Sequence, residues 1–319
     1  MNESPLRIFQ RKIRSNLSFY FNKKEYMDHK TKKLIQLIFK MSDEMVHSKK
    51  SNRKKTHKIF SKKIFNLVRK KKFLNFLQKP FIQQMFFIHN RFYLLSYLKQ
   101  MRISKKWKFW KQLIQESPVG NPVRYFLYPK SSGNKIFQAY HLKKYEDYCK
   151  INLKKFSHVV EFGGGYGNMA SMFHKINPKI KYTIFDTYEV TLLQFYYLNR
   201  LNLKINFNKV NKKDNSINLI SSINKLKTII SKITNNKKTL FIANWSISET
   251  PMEFRKQMFF LFKKFEYQLI SFQKEFENID NQQFFLEILK FNKDLKRKTK
   301  ILPIEKMHNH FYLFSQKVS

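Results

Sequence analysis

The sequence predicts an α/β fold in which a mostly parallel sheet of about seven strands carries helices on both faces, preceded by a basic helical region. From His158 onward, short β-favouring runs alternate with helix-length segments, a pattern typical of parallel sheets. Before that point, apolar residues recur at helical spacing and no glycine precedes Gly120. The stretch SPVGNPVRY at 117–125 has the glycine and proline content of a boundary. We therefore expect a basic helical region over 1–116 and an α/β domain over 117–319.

The elements follow from the spacing of apolar residues. In the helical region, apolar residues at 34–38 and 64–68 mark the inner faces of helices whose outer faces are basic. In the α/β domain we expect strands at 158–162, 181–186, 205–210, 239–245 and 267–273. The helices between them are expected at 168–176, 187–201, 221–233 and 252–265. A further helix at 281–291 then precedes two closing strands at 299–305 and 310–316.

The chain is strongly basic, with 64 Lys and Arg against 21 Asp and Glu among its 319 residues, a net charge of +43. Residues 1–120 carry 30 of the basic and 6 of the acidic side chains. This charge favours acidic partners such as nucleic acid, an anionic membrane surface or a phosphorylated glycan carrier. Abundant Lys, Asn, Ile and Phe with little Gly or Pro fit an AT-rich coding bias equally well. The basic run at 49–63 is either a solvated helix face or a contact with a polyanion or membrane surface.

The single cysteine, Cys149, excludes an internal disulfide and a multi-cysteine zinc site, and it favours a reducing compartment. The N-terminal residues lack the continuous apolar core of a secretory signal. The most apolar long stretch, at 81–98, is interrupted by Gln, His, Asn and Arg, so we expect no transmembrane segment. No His and carboxylate residues have metal-ligand spacing. The expectation is a cytoplasmic protein with no metal site, and a Mg²⁺ site formed by Asp and Glu residues distant in sequence stays open.

Four of the six glycines lie within five residues, in the stretch VVEFGGGYGNMA between an expected strand and an expected helix. The dinucleotide fingerprint would require glycine at the position of Asn168. An acid followed by glycine at every second position fits instead, through Glu161, Gly163, Gly165 and Gly167. This spacing resembles the first motif of class I, Rossmann-like methyltransferases, whose cofactor is S-adenosyl-L-methionine. There the bare backbone passes against the cofactor, and the acid interacts with its ammonium end.

A second acid fits the same pattern. Asp186 ends the second expected strand about twenty residues after Gly167, where an acid accepts hydrogen bonds from two ribose hydroxyls. Acids between 161 and 249 are scarce, and each lies at or shortly past the carboxyl end of an expected strand: Glu161, Asp186, Glu189, Asp214 and Glu249. The predicted cofactor-binding residues are Glu161, Gly163, Gly164, Gly165, Tyr166, Gly167, Asn168, Asp186, Thr187 and Asn244.

Two residues are candidates for a catalytic base. Glu249 follows the fourth expected strand, in NWSISETP, and is either a base or an acid at a helix N-terminus before Pro251. His141 lies on a helix that precedes the sheet, and it is either a base or a packing residue. Trp245 is expected in the core or against an adenine ring, and His310 either faces the rim of the sheet or lies in a turn.

Four segments together resemble the sugar O-methyltransferase family of bacterial surface-polysaccharide gene clusters. They are VVEFGGGYGNMA, YTIFDTYEVTLLQFYYLNR, FIANWSISETP and HFYLFSQK, and the resemblance spans 117–319. It implies methyl transfer from S-adenosylmethionine to a sugar hydroxyl. Thr187 and Tyr188 depart from the Leu-Pro pair usual in that family.

Two other functions stay open. An RNA methyltransferase would use the basic region to bind phosphates, although the Asn/Asp-Pro-Pro-aromatic motif for exocyclic amines is replaced by NWSI. A non-catalytic binding protein that keeps the fold is the other alternative.

Overall fold

The structure is a computed structural model that describes residues 25–46, 55–86, 90–209, 215–233 and 238–318, together with Ile13. The chain divides into two compact units. The first comprises Met1–Lys143 and Leu192–Asn202, and the second comprises Lys144–Thr191 and Leu203–Ser319. The first unit therefore includes more of the chain than the helical region expected over 1–116.

The first unit is helical, as its apolar spacing predicts. Its helices are α1 (His29–Val46), α2 (Lys55–Arg69), α3 (Pro80–Met85), α4 (Leu94–Arg102) and α5 (Trp107–Leu113), and α6 (Gly133–Cys149) begins in it. A short hairpin, β1 (Arg124–Tyr125) and β2 (Tyr128–Ser132), precedes α6. Ile35 and Ile38 of α1 and Ile64 and Val68 of α2 are buried, so each helix packs through its apolar face. The basic run at 49–63 lies partly outside the described residues.

Buried charges in the first unit are paired. Lys135 Nζ lies 2.9 Å from Glu116 Oε1, and each side chain is 1% exposed. Ser132 Oγ donates to the other carboxylate oxygen of Glu116 at 2.5 Å. The loop containing Gly120 is fixed in the same way, because its backbone N–H donates to Glu25 Oε2 at 2.9 Å. These contacts satisfy charged groups that burial would otherwise make costly.

The second unit is built on one eight-stranded sheet in the order β11-β12-β8-β7-β3-β4-β6-β5. Its strands are β3 (His158–Phe162), β4 (Lys181–Phe185), β5 (Ile205–Phe207), β6 (Ile217–Ile220), β7 (Thr239–Asn244), β8 (Tyr267–Gln273), β11 (Arg297–Pro303) and β12 (His310–Lys317). All neighbouring pairs are parallel except those that include β12, which runs antiparallel to β8 and to β11.

The helices of the second unit lie between these strands. They are α7 (Asn168–Ile176), α8 (Tyr188–Arg200, of which the part before Leu192 belongs to this unit), α9 (Ile223–Ser231), α10 (Met252–Gln257), α11 (Phe259–Lys264) and α12 (Asn281–Asp294). A two-strand ribbon, β9 (Glu275–Phe276) and β10 (Ile279–Asp280), leads into α12, and the Asp280 carboxylate caps that helix by accepting from the N–H groups of Gln282 and Gln283.

The predicted Rossmann-like fold class is confirmed, with one strand more than expected. The third expected strand, at 205–210, is the edge strand β5, whereas β6 pairs with β4. Every residue of β3 and of β6 is buried, so the centre of the sheet is covered on both faces. No helix among the described residues is both long and apolar enough to cross a bilayer.

Candidate functional site

The strand order changes direction at the centre of the sheet. Strand β4 follows β3 on one side, and β7 lies against β3 on the other. The loops after β3 and β7 therefore leave the sheet in opposite directions and open a crevice at the carboxyl ends of both strands. Crevices at such a switch point are where doubly wound sheets bind their ligands. The predicted cofactor residues of the second unit lie at this rim.

The glycine loop turns sharply at the end of β3. Gly163 has φ 71°, and its N–H donates to Phe185 O at 2.8 Å. A Cβ at Gly163 would lie 2.2 Å from the Cβ of Ser246, which follows β7. Ser246 Oγ in turn donates to Phe162 O, the last residue of β3. Only a residue without a side chain fits here, because the two loops touch at the floor of the crevice.

Glu161 is a buried carboxylic acid beneath the loop. It is 3% exposed, and its Oε2 accepts a hydrogen bond from the Tyr182 hydroxyl at 2.8 Å. Burial raises the pKa of Glu161 to about 8, a change that the Tyr182 hydrogen bond partly offsets and the Asp186 carboxylate reinforces. A Cβ at Gly164 would lie 3.0 Å from that Oε2, so the loop backbone passes directly over the carboxyl group.

The ends of β4 and β7 place polar atoms on each side of the loop. After β4, Asp186 is half-buried, and its Oδ1 accepts from the Thr187 N–H at 2.8 Å. Thr187 Oγ1 is buried without a hydrogen-bond partner. At the end of β7, Asn244 Oδ1 accepts from Ser271 Oγ at 3.0 Å, whereas its Nδ2 is buried and has no partner. Such unsatisfied groups are rare in protein interiors and suggest that a polar ligand completes them.

Tyr166, Gly167 and Asn168, at the end of the loop, are buried and lead into α7. Tyr166 is 2% exposed and Asn168 is 1% exposed, and Gly167, with φ 95°, stands at the N-cap of the helix. The Gly167 N–H donates to Gly164 O at 2.9 Å, which closes the turn. Helix α7 therefore begins directly at the loop that carries the predicted cofactor motif, and helix N-termini favour negatively charged ligand groups.

Glu249 lies in a short helical turn, Ile247–Glu249, that follows β7. Burial raises its pKa to about 7, while a hydrogen bond from the Gln273 side chain lowers it and the charge of Glu277 raises it. Arg255, which is fully buried, holds the turn on both sides of Glu249. Its Nη2 donates to Ser248 O at 2.7 Å and its Nε donates to Thr250 O at 2.9 Å.

A hydrogen-bonded pair that sequence analysis did not assign to the site joins β7 to β12. Trp245 Nε1 donates to His310 Nδ1 at 2.8 Å. Trp245 adopts φ 61°, the left-handed region that an aromatic residue rarely occupies, and its N–H donates to Ser271 O at 2.7 Å. His310 is the first residue of β12 and pairs in register with Gln273. His310 is thus hydrogen-bonded to Trp245 and lies opposite Gln273, the residue whose side chain hydrogen-bonds to Glu249.

His141 belongs to the first unit, where it is fully buried and packs against the Phe137 ring with 4.2 Å between ring centroids; its role as a base stays a prediction. Glu189 is buried in the first turn of α8. Asp214 lies outside the described residues. Within the described ranges, no three His, Cys, Asp or Glu side chains lie close enough to hold a metal ion.

No protein-family model and no curated protein matches this chain. Solved structures match part of it at low sequence identity. A precorrin-6y C5,15-methyltransferase from Geobacter metallireducens is 9% identical, with 57% of this chain and 87% of that chain covered and a TM-score of 0.39. An rRNA methylase from Streptococcus thermophilus is 13% identical, with 56% and 96% covered and a TM-score of 0.38. The mitomycin 7-O-methyltransferase MmcR is 10% identical, with 70% and 72% covered and a TM-score of 0.35. The fold is therefore described from the strand order of this chain and not from these similarities.

Proposed function

We propose that this chain is an S-adenosylmethionine-dependent methyltransferase that methylates a sugar hydroxyl. The observation that carries the proposal is the crevice between β3 and β7. There a glycine-rich loop, two carboxyl groups and two unsatisfied polar atoms converge at the rim of the sheet. In a chain with a net charge of +43, a crevice whose floor and side carry Glu161 and Asp186 favours a cationic ligand.

The residues of the crevice fit this cofactor group by group. Glu161, buried under the loop, would meet the ammonium end of the methionine part, since a cation compensates a buried carboxylate. Asp186 would accept hydrogen bonds from the two ribose hydroxyls. Thr187 Oγ1 and Asn244 Nδ2, which lack partners, would pair with polar atoms of the ligand. The loop at Gly163 leaves room for close approach of the backbone.

The chemistry requires positioning and a base. The cofactor, when bound, supplies a methyl group on a sulfonium centre. A sugar hydroxyl is a weak nucleophile at neutral pH, so a group that takes its proton speeds the transfer. Glu249 has the pKa for that task, because a base is most effective when its pKa lies near the working pH. Gln273 and Arg255 fix its side chain and its backbone respectively, which keeps the base in one orientation.

The sugar acceptor is supported by the motif resemblance over 117–319 and by the polar character of the cluster around Glu249. Ser248 Oγ donates to Gln273 Oε1 at 3.0 Å, the Gln273 side chain hydrogen-bonds to Glu249, and His310 pairs with Gln273 across the sheet. A hydroxyl-rich acceptor would find both hydrogen-bond donors and acceptors there. We keep RNA as the alternative acceptor because the first unit exposes many lysines.

The cofactor assignment is tested by calorimetry with S-adenosylhomocysteine. We expect the wild type to bind it and Asp186→Ala to bind it roughly 5-fold to 150-fold more weakly, because 1–3 kcal/mol is lost when hydroxyl partners go unpaired. Asp294→Ala, an exposed aspartate in the last turn of α12, is the matched control and should bind as the wild type does. Equal affinity in Asp186→Ala would reject the ribose role of that carboxylate.

The acceptor is tested with methyl-labelled cofactor. Purified protein is offered nucleotide-linked sugars, bacterial polysaccharide and total RNA in separate reactions, and the labelled product is identified by mass spectrometry. We expect incorporation into a saccharide. Incorporation into RNA alone, with binding that weakens steeply as salt is raised, would replace the sugar with RNA as the acceptor. No binding of S-adenosylhomocysteine and no incorporation would leave only a non-catalytic protein with this fold.

A further inference from the structure

The hydrogen bond between Trp245 and His310 fixes which ring nitrogen of the histidine carries a proton. An indole N–H can only donate a hydrogen bond. Because Trp245 Nε1 lies 2.8 Å from His310 Nδ1, that ring nitrogen must be the acceptor and carries no proton. A neutral imidazole then bears its proton on Nε2. Protonation of Nδ1 would set two N–H groups against each other, so the pair holds His310 in the neutral Nε2–H form.

The surroundings of His310 act in the same direction. Burial lowers its pKa, and the neighbouring His308 lowers it further. The backbone of Trp245 is fixed by its own N–H bond to Ser271 O and by Ser248 Oγ, which donates to Trp245 O at 2.6 Å. A strained, left-handed conformation held by two hydrogen bonds is typical of a side chain aimed for a function.

His310 pairs across the sheet with the glutamine that hydrogen-bonds to the proposed base. His310 and Gln273 are directly opposite each other on β12 and β8, so their side chains leave the same face of the sheet about 5 Å apart. Gln273 in turn donates to the Glu249 carboxyl group. Among the described residues, none accepts a hydrogen bond from His310 Nε2. Gln273 therefore contacts the proposed base and lies opposite the histidine that carries the fixed N–H donor.

We propose that His310 is a specificity-determining residue that donates a hydrogen bond from Nε2 to an oxygen of the methyl acceptor, and that Trp245 is its positioning residue. The proposal rests on the methyl-transfer function proposed above. It narrows the acceptor to a compound with a second oxygen near the hydroxyl that is methylated, as in the vicinal diols of a sugar. Glu249 takes the proton from one hydroxyl while His310 binds the neighbouring oxygen. A donor-only group favours an oxygen over an ammonium or amide N–H in that place.

The tautomer is tested directly by NMR with ¹⁵N-labelled histidine, with the His310 signals assigned by their loss in His310→Gln. We expect the Nε2–H pattern in the wild type, persisting to a pH below the usual range of histidine titration. In Trp245→Phe we expect a mixture of tautomers and protonation at a higher pH. A wild-type His310 that shows the Nδ1–H pattern, or that is protonated at pH 7, overturns the proposal.

The role in specificity is tested by steady-state kinetics with the acceptor found above. The amide N–H of glutamine lies close to the place of Nε2, whereas phenylalanine keeps the ring without a donor. We expect His310→Gln to keep the acceptor KM within about threefold, and His310→Phe to raise it roughly tenfold or more. The Kd for S-adenosylhomocysteine should stay unchanged in both.

The outcomes separate this proposal from the proposed function. If the wild type transfers methyl groups but His310→Gln and His310→Phe raise KM equally, or if both weaken cofactor binding, the proposal about His310 fails while the function stands. If the wild type neither binds the cofactor nor transfers a methyl group, the function fails and the role of His310 fails with it. An acceptor lacking a second oxygen that is used as well as a sugar also overturns it.

Discussion

Replacing Glu161 with glutamine tests whether the carboxyl group under the glycine loop is protonated before the cofactor binds. In the folded chain, burial raises its pKa to about 8, against an ordinary value of 4.5. The folded state therefore holds a proton that the unfolded state gives up between these two values. Since the folded state binds more protons, the free energy of unfolding falls as pH rises through this window. Glutamine cannot ionise, so Glu161→Gln removes this loss.

The magnitude follows from the width of the window. Each pKa unit corresponds to about 1.4 kcal/mol, so a shift of this size sets an upper bound of about 5 kcal/mol. We expect Glu161→Gln and the wild type to differ little near pH 4.5, and the variant to gain stability steadily up to pH 8 and then hold that gain. A gain of 1 kcal/mol raises Tm by roughly 2–4 °C in a unit of this size. The Tyr182 hydroxyl can still donate to the amide oxygen of glutamine.

The assay is thermal unfolding of both proteins at half-unit steps from pH 4.5 to 9. Glu275→Gln, an exposed glutamate on β9, is the matched control and should follow the wild type at every pH. A Tm difference between Glu161→Gln and the wild type that stays constant across the range would refute the reasoning, because it would mean that Glu161 is already ionised in the folded chain. Cofactor binding gives an independent measurement. At pH 7 the wild type should release a proton on binding, seen as a dependence of the calorimetric heat on buffer ionisation, and Glu161→Gln should release none from this site.

Three further substitutions test other parts of the site. Gly163→Ala should lower the free energy of unfolding by roughly 2 kcal/mol or more and weaken S-adenosylhomocysteine binding, because its Cβ would lie 2.2 Å from Ser246 Cβ at φ 71°. Adding Ser246→Gly should restore part of the stability by removing that contact, and a failure to restore it would place the strain elsewhere. Glu249→Gln should lower kcat by roughly 100-fold or more without changing the cofactor Kd. The wild-type kcat should decrease as the pH is lowered below about 7, because the base becomes protonated. An unchanged kcat in the variant would show that Glu249 is not the base. Arg255→Lys should lower kcat roughly tenfold while keeping the cofactor Kd, since lysine cannot donate to the carbonyls on both sides of Glu249 at once. A variant with the wild-type kcat would show that the turn does not need these two hydrogen bonds.

The part of the site that sequence analysis located is the part carried by short segments. The glycine spacing and the acid that ends β4 are local signals, because strand, turn and helix follow one another within a few residues. The structure places Glu161 and Asp186 close enough for the charge of one to shift the pKa of the other. Parallel strands with their carboxyl ends at one edge make this outcome predictable from order alone.

Strand β6 was missed because its sequence gives little signal. Its four residues, INLI, are followed directly by the helix expected at 221–233, and they are too few to show the alternation that marks a strand. The longer run at 205–210 looks more strand-like, yet within its described part, 205–209, only Ile205–Phe207 forms a strand, and it lies at the edge. These four residues form a strand because they are fully buried between neighbouring strands, and a pattern of four residues cannot reveal that burial.

The Trp245–His310 pair could not be found from sequence for a different reason. The two residues are 65 positions apart, and they meet only because β12 returns antiparallel beside β8. Nothing local to either residue encodes that return. The same holds for Arg255, whose complete burial in a basic chain runs against the usual exposure of arginine. Contacts that depend on the order of strands become visible only in the folded chain.

Glu161 and Glu249, both in the second unit, have raised pKa values, and their different environments suit them to different roles. Glu161, which is 3% exposed, accepts a hydrogen bond from Tyr182 beneath the loop, and the charge of Asp186 further favours its protonated form. Glu249 is held by an amide, Gln273, and has a pKa of about 7, so a substantial fraction of it is ionised at neutral pH. A group that stays neutral until a cation arrives is suited to binding, whereas a group that exchanges its proton near pH 7 is suited to catalysis. If both carboxyls instead responded to the cofactor alone, Glu249→Gln would weaken S-adenosylhomocysteine binding as strongly as Glu161→Gln, and this division of roles would be wrong.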